Sequence, residues 1–254
     1  TTHRPFHNRV LHVRSLAATV TSTTDADELT FDQAKALRDW LQIDGPANSL
    51  GSGYQASIYL YQGPAGEFVI KKALGSTLRR RFSEASIRRE EQVYRKLSGV
   101  PGIPRCFGLL DEKCLVLEYI SGDSYRKLEY QLRDRERFFS KLLATLNGMH
   151  EAGVAHADLK RKDNILVGPM DEPYVIDFGI AIMADERRSF LFNATRQADL
   201  NAWIKHKYQG QMETLSKEDR EIYKPMVLEK VARIVRVFWQ KLTLRRWRKK
   251  DRRR

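Results

Sequence analysis

The spacing of apolar residues changes character about halfway along the chain. Residues 50–120 contain short runs such as "ASIYLYQ", "EFVIKKA" and "IPRCFGLLDEKCLVLEYI", which are bounded by turn residues and predict strands. Among them "SEASIRREEQVYRKLSG" has helical spacing and stops at Gly99. After residue 120 the spacing is mostly helical, as in "RERFFSKLLATLNGMHEAG" and "TRQADLNAWIKHKY". This order predicts an α+β, bilobal fold with a cleft between a strand-rich lobe and a helical lobe.

Capping patterns predict two further helices. Thr30 and Gln33 form a capping box before a helix over about residues 31–42. Ser216 and Asp219 form a second cap, which predicts a long helix with an apolar face that continues to Leu242. The predicted organisation is an N-terminal arm and helix (1–47), an N-lobe (48–120), a C-lobe (121–240) and a basic tail (241–254).

Composition adds a strong positive charge to this picture. The chain has 254 residues, with 45 Lys and Arg against 32 Asp and Glu, a formal net charge of +13 that favours anionic partners.

Cys106 and Cys114 lie in apolar, strand-like sequence, which predicts buried thiols in a reducing cytosol rather than disulfides or a metal site. No apolar run reaches the roughly 18 residues that span a membrane, and the first residues lack an apolar signal core. We therefore expect a cytoplasmic protein, or one that lies peripherally at the inner face of the membrane.

The stretch "LGSGYQASIYLY" could approach phosphate groups. Gly51 and Gly53 stand two apart before a strand, so their backbone N–H groups can lie close to phosphates, with the Ser52 hydroxyl as an additional contact. Taken alone, a plain hairpin turn explains the stretch equally well.

Lys71 is the candidate cation of the strand-rich half. It follows two apolar residues within a strand, and a charge that points inward needs a partner. Glu90, in the predicted helix, could supply that partner, and strand alternation places Lys72 on the opposite face. A surface salt bridge is the alternative to a pair that fixes nucleotide phosphates.

The stretch "LVLEYISGD" would join the two lobes. Backbone groups near Glu118 and Ile120 could hydrogen-bond the edge of an adenine ring. Without the other motifs, this stretch is simply a strand end.

The loop "HADLKRKDN" carries the candidate reaction chemistry. Asp158 could accept the proton of an attacking hydroxyl, and Lys160 could neutralise charge on a transferring phosphoryl group. Asn164 could bind a magnesium ion, whereas His156 is expected to hydrogen-bond the loop backbone. A charged surface loop without function is the alternative.

The stretch "YVIDFGIA" adds a second candidate metal ligand. Asp177 stands at a strand end before Phe-Gly, a suitable place for a carboxylate that binds Mg²⁺. With it, the order glycine stretch, Lys, helical Glu, linker, Asp–Asn loop and Asp-Phe-Gly resembles the protein-kinase set of motifs. The resemblance covers about residues 48–205.

This resemblance to kinase-fold phosphotransferases implies roles for the candidate residues. It implies that ATP and Mg²⁺, with Mn²⁺ as a substitute, are the cofactors. It implies that Lys71 and Glu90 form the ion pair, that Asp158 is catalytic, and that Asn164 and Asp177 bind metal. The Asp-to-Asn spacing is six where the family has five, so Asp163 is the alternative ligand; Asn164 is favoured because it leads directly into a strand.

The sequence departs from ordinary eukaryotic-type kinases after Asp177, where no Ala-Pro-Glu follows. The stretches "GSGYQASIY" and "HADL" resemble RIO-type atypical kinases. The catalytic-loop spacing and the C-terminal stretch "DLNAWIKHKYQG" resemble bacterial RIO-like relatives of the lipopolysaccharide-core (Kdo/heptose) kinases.

Three functions follow from these features. The first is an autophosphorylating, RIO-like serine/threonine-protein kinase, and the second is a kinase of a lipopolysaccharide-core sugar hydroxyl. The third is a non-catalytic module that binds nucleotide or RNA, against which the full residue set argues. The basic tail, with Trp247 among its cations, could contact RNA or an anionic membrane, or could be a solvated helix end.

Overall fold

The computed structural model describes residues 28–43, 49–52, 56–73, 77–184 and 189–224. The helices are α1 (Phe31–Ile43), α2 (Thr77–Lys96), α3 (Tyr125–Leu128), α4 (Arg135–Glu151), α5 (Ser189–Lys207) and α6 (Lys217–Ile222). The strands are β1 (Ser49–Ser52), β2 (Ala56–Gly63), β3 (Gly66–Ala73), β4 (Cys106–Leu110), β5 (Cys114–Glu118), β6 (Asp123–Ser124), β7 (Val154–Ala155), β8 (Ile165–Val167), β9 (Pro173–Val175) and β10 (Ile182–Met183). The α+β, bilobal prediction is confirmed.

The N-lobe is built on a five-stranded antiparallel sheet with the order β1-β2-β3-β5-β4. Alternation along β5 sends neighbouring side chains to opposite faces, so Leu115 joins the core beneath α2 while Val116 joins the cluster beneath α1. The register pairs Lys71 of β3 with Leu115, which places the lysine on the α2 side.

Helix α1 covers the other face of this sheet. Leu37 is fully buried against apolar side chains of the sheet, and the Trp40 ring meets the Tyr61 ring edge-on with centroids 5.4 Å apart. The predicted capping box is confirmed, because the Thr30 N–H donates to the Gln33 side chain while the Gln33 N–H donates to the Thr30 hydroxyl. The helix is therefore packed as part of the N-lobe.

The C-lobe core lies between α4 and α5, with two small sheets at its upper edge. One sheet has the order β6-β8-β9, and the other pairs β7 with β10. The loop 156–164 connects β7 to β8, and Asp177 follows β9, so the two sheets bring the candidate residues to one edge. Gly122 allows β6 to lie against β8, since a Cβ there would stand 2.1 Å from the Val167 carbonyl oxygen.

Two predicted elements need correction. Helix α2 begins at Thr77, earlier than its apolar pattern indicates. The helix capped by Ser216 is present, but it is short. Helix α6 ends at Ile222 and Tyr223 is extended, so the prediction of one continuous helix from this cap to Leu242 is wrong. Pro225 explains this stop, because proline disfavours helical conformation in the residue before it.

Other expectations have mixed outcomes. Cys114 is buried and Cys106 is half-buried, and both are free thiols. Within the part of the chain given above, no helix is both long and apolar enough to cross a bilayer. Residues 1–27 of the predicted N-terminal arm (1–29) and the whole basic tail lie outside the described residues. The domain boundaries themselves stay predictions.

Candidate active site

Lys71 joins the two lobes through two carboxylates. Its Nζ lies 2.5 Å from Oε1 of Glu90 in α2 and 3.3 Å from Oδ1 of Asp177 in the C-lobe. Lys71 and Glu90 are both buried, whereas Lys72 is exposed, as strand alternation predicts. The Glu90 carboxylate also accepts from the Phe178 N–H at 3.2 Å, so one helix residue holds both the lysine and the Asp-Phe-Gly backbone.

Electrostatics keep Lys71 and Asp177 ionised. Burial by itself would lower the pKa of Lys71, but the negative charges of Glu90 and Asp177 outweigh it, and the pKa is raised. Burial would likewise raise the pKa of Asp177, yet Lys71 and other nearby positive charge hold it below its ordinary value. A charged Asp177 carboxylate is the form that binds a cation.

The catalytic-loop candidate is organised by His156. Its Nε2 is 2.9 Å from the Ile176 carbonyl oxygen, and its Nδ1 accepts from the Asp158 N–H at 3.2 Å. Because a carbonyl can only accept, Nε2 carries the proton. The prediction that His156 has a structural role in the loop is confirmed.

Asn164 and Asp163 point to different surroundings. The Asn164 side chain is buried and donates through Nδ2 to the Asp158 carbonyl oxygen at 3.1 Å. Asp163 instead receives both of its 2.9 Å hydrogen bonds from Nε of Arg126 in α3. A short 3-10 turn over Lys162–Asn164 accommodates the extra residue of the loop. This arrangement brings Asn164, not Asp163, beside Asp158, and its amide oxygen is the atom left to serve a metal ion.

Two cations follow Asp158 in the loop, and one of them lies near its carboxylate. Lys160 is exposed, and the guanidinium of Arg161 lies 3.9 Å from Oδ2 of Asp158. Arg161 also contributes to the lowered pKa of Asp177. Sequence reasoning singled out Lys160 and missed Arg161, whose direction depends on the wider loop.

Asp199 in α5 is a second residue that sequence reasoning missed. This fully buried carboxylate accepts from the N–H groups of His156 (2.7 Å) and Ala157 (3.2 Å) and lies 3.3 Å from His150 Nε2. A charged residue on the apolar face of α5 was the available signal. Because Asp199 lies 43 and 42 positions from His156 and Ala157, the sequence could not identify these partners.

The structure describes the linker and part of the glycine stretch. Glu118 ends β5, and its N–H donates to the Arg105 carbonyl, so any adenine contact from Glu118 has to come from its own carbonyl. Ile120 follows with a buried side chain. Gly51 and Ser52 lie in β1, where they pair with β2, while Gly53 lies outside the described residues.

The donor set fits a divalent cation completed by a nucleotide. Asp177 and Asn164 offer one carboxylate and one amide oxygen, the hard donors that Mg²⁺ and Mn²⁺ take together with phosphates and water. Within the described ranges, no group of three or more His, Cys, Asp or Glu could hold a metal without such help. The site therefore needs phosphate oxygens to complete a metal's coordination.

Comparison with known proteins agrees with this geometry. Residues 46–203 match the family model described as protein kinase domain. The chain belongs to the protein kinase domain family.

Similar curated proteins are protein kinases by name, and one of them is named as a serine/threonine kinase. The chain is 29% identical over 157 residues to the serine/threonine-protein kinase grp of Drosophila melanogaster, covering 58% of this chain and 30% of that protein. It is 32% identical over 154 residues to CBL-interacting protein kinase 25 of Oryza sativa subsp. japonica, covering 55% and 30%. It is 27% identical over 167 residues to calcium-dependent protein kinase 12 of the same plant, covering 61% and 31%. The chain thus spans about a third of the length of these relatives.

Proposed function

We propose that this chain transfers the γ-phosphate of ATP, with Mg²⁺ or Mn²⁺, to serine or threonine hydroxyls of a protein, including its own. The observation that carries this proposal is the buried Lys71, which contacts Glu90 and Asp177 at once. An ion pair of this kind is what a kinase needs to hold the phosphates of ATP. A purely structural pair would not need a third charge from the other lobe.

The residues divide into nucleotide-binding and reacting groups. Lys71, together with the backbone of Gly51, Ser52 and Gly53, would hold the phosphates, and the linker backbone at Glu118 and Ile120 would hold adenine. Asp177 and Asn164 would bind the divalent ion, which when present offsets the negative charge of the phosphate oxygens.

The reacting groups lie on the loop after β7. Asp158 would orient the acceptor hydroxyl and take its proton, and its backbone is held by the hydrogen bond that the Asp158 N–H donates to Nδ1 of His156. Lys160 and Arg161 would neutralise charge that develops on the transferred phosphoryl group.

A RIO-like kinase is the subtype we favour. Residues 180–188 alone separate Gly179 from α5, so the chain has little room for a long segment that docks a peptide between these elements. The named activity of the similar proteins supports a protein acceptor.

A sugar hydroxyl of a lipopolysaccharide core is the second candidate acceptor. Exposed cations next to Asp158, namely Lys160 and Arg161, favour an acceptor with anionic groups, which phosphorylated core sugars carry. For such a substrate, the basic tail would hold a cytoplasmic protein at the inner face of the membrane. For a protein or ribonucleoprotein substrate, the same tail would contact RNA.

The experiment is phosphate transfer from γ-labelled ATP with Mg²⁺, with the wild-type protein and Asp158→Ala compared. Label on serine or threonine that is lost in the variant supports the protein kinase. Consumption of ATP that requires Asp158 and added lipopolysaccharide, without protein label, supports the sugar kinase. Nucleotide binding without any Asp158-dependent turnover would contradict both and leave a non-catalytic binding module.

A further inference from the structure

Tyr94 occupies the centre of the contact between α2 and the Asp-Phe-Gly stretch. It stands one helical turn after Glu90, is 1% exposed, and meets the Phe178 ring edge-on with centroids 5.0 Å apart. Phe178 in turn packs on His156, with ring centroids 5.0 Å apart. The aromatic ring of Tyr94 therefore has an evident packing role.

The hydroxyl of Tyr94 has no such explanation. In the part of the chain that the structure describes, it is a fully buried oxygen without a hydrogen-bond partner. A buried hydroxyl that lacks a partner costs folding free energy, whereas phenylalanine would supply the same ring without that cost. The ring and the hydroxyl of Tyr94 thus have to be accounted for separately.

The charged groups around this hydroxyl are Lys71, Glu90 and Asp177. Burial is the main reason that the pKa of Tyr94 is raised; Lys71 opposes this effect, and Glu90 adds to it. The hydroxyl therefore stays neutral and can both donate and accept. The backbone N–H of Asp177 lies beside it, although the two do not meet hydrogen-bond geometry in this structure.

Asp177 needs support at this backbone position. Its φ is 70°, in the left-handed region that costs a non-glycine residue free energy. The direction of its carboxylate depends on that conformation, since a rotation about φ or ψ moves the side chain as a whole. Lys71 holds Oδ1 from one side, but an ammonium group that also binds phosphate has fewer donors left for it.

We propose that the Tyr94 hydroxyl is a positioning residue for Asp177. In the protein loaded with metal and nucleotide, it accepts a hydrogen bond from the Asp177 N–H and fixes the carboxylate toward the metal. This inference rests on the proposed function for the role of Asp177. It adds a group on α2 that acts through the backbone and touches neither substrate nor metal.

The test compares Tyr94→Phe with Tyr125→Phe. Tyr125 is an equally buried tyrosine, but its hydroxyl is engaged in the C-lobe, where it contacts the His206 carbonyl at 3.2 Å and accepts from Arg135 at 2.8 Å. Calorimetry would measure the affinity for Mg²⁺ in the presence of a non-hydrolysable ATP analogue, and denaturant unfolding would measure stability.

We expect opposite results from the two variants. Tyr94→Phe should weaken Mg²⁺ binding about tenfold, the loss of roughly one hydrogen bond, with a denaturation midpoint that is unchanged or higher. Tyr125→Phe should lower the midpoint and leave Mg²⁺ binding unchanged. A Tyr94→Phe protein with Mg²⁺ affinity within about twofold of wild type would overturn the proposal, whatever its stability.

The readouts separate this proposal from the proposed function. Because binding is measured without turnover, a wild-type protein that binds the analogue and Mg²⁺ but transfers no phosphate contradicts the proposed function alone. A wild-type protein that binds neither contradicts both.

Discussion

Asp199 holds Ala157 in a conformation that alanine rarely adopts. The carboxylate accepts from the Ala157 N–H at 3.2 Å while Ala157 has a φ of 69°. A left-handed non-glycine residue costs about 1–2 kcal/mol, and a charge-assisted hydrogen bond is of the right size to offset it. Asp158 directly follows, so the position of the catalytic candidate depends on a helix that lies behind the loop.

Asp199→Asn should therefore impair the reaction more than nucleotide binding. The amide keeps one acceptor oxygen and loses the charge, which loosens the loop but leaves the Lys71 cluster unchanged. We expect kcat to fall by about ten- to a hundredfold, because small displacements of a reacting group have effects of that size. Steady-state kinetics check this, with KM for ATP within about threefold.

Asp219→Asn is the matched control for this substitution. Asp219 is also buried in the C-lobe, but it binds Lys207 and Tyr208. Asp219→Asn should lower the free energy of unfolding without the loss of kcat expected for Asp199→Asn. Equal kinetic effects from the two variants would mean that Asp199 acts only through general stability.

Asn164→Ala should cost at least about ten times more activity than Asp163→Ala. The first removes a buried amide beside Asp158 and a candidate metal ligand, whereas the second breaks a half-exposed ion pair with Arg126. Initial rates across a range of Mg²⁺ concentrations measure both effects. The reverse ranking would assign the metal to Asp163 and contradict our reading of the loop.

Arg161→Ala and Lys160→Ala should each lower kcat by about ten- to a hundredfold with ATP affinity nearly unchanged. The Arg161 guanidinium lies 3.9 Å from the Asp158 carboxylate, where negative charge passes during transfer, and the exposed Lys160 follows Asp158 by two residues. Neither is one of the three side chains in the Lys71–Glu90–Asp177 contact. Arg220→Ala, which removes an exposed charge from α6, is the control for the change in net charge. Wild-type rates in Arg161→Ala would mean that the ion pair between Arg161 and Asp158 has no role in the reaction.

His206 should make folding stability depend on pH. Burial lowers its pKa below 6.5, against the contribution of its hydrogen bond to the Leu159 carbonyl. Between the folded-state pKa and 6.5 the unfolded chain binds more protons, so stability falls as the pH drops through this window. Urea unfolding at about pH 7.5 and pH 5 should show a larger loss for wild type than for His206→Gln. Equal losses would count against this residue as the source.

Leu37→Ala should destabilise the protein by about 2–5 kcal/mol, because it opens a cavity between α1 and the sheet. Ile43→Ala, at an exposed position of the same helix, should stay within about 0.5 kcal/mol of wild type. Denaturant midpoints compare the two. Similar small effects at both positions would mean that α1 does not stay on the sheet in solution.

Local signals were enough to predict much of this molecule. Strand alternation separated Lys71 from Lys72, and the capping box at Thr30 located α1. The stop after Ile222 was also present in the sequence, as Pro225, but the apolar periodicity beyond it suggested a continuous helix.

Contacts between distant segments could not be predicted in the same way. Asp199 and Tyr94 become functional candidates only when α5 and α2 bring them against the loop and the Asp-Phe-Gly stretch. Neither the spacing of residues nor their type identifies such partners. The same limit applies to Arg161, whose neighbours depend on how the loop absorbs its extra residue.

Because α1 packs on the N-lobe sheet, the folded unit begins earlier in the chain than the match to the family model does. The family match starts at residue 46, but the side chains that cover one face of the sheet come from residues 29–41. A fragment that begins at residue 46 would expose Tyr61, Phe68 and Val116 to water. The kinase domain would then carry an exposed apolar patch that promotes aggregation. Its aggregation would be a consequence of where the cut was made, not of any weakness in the domain.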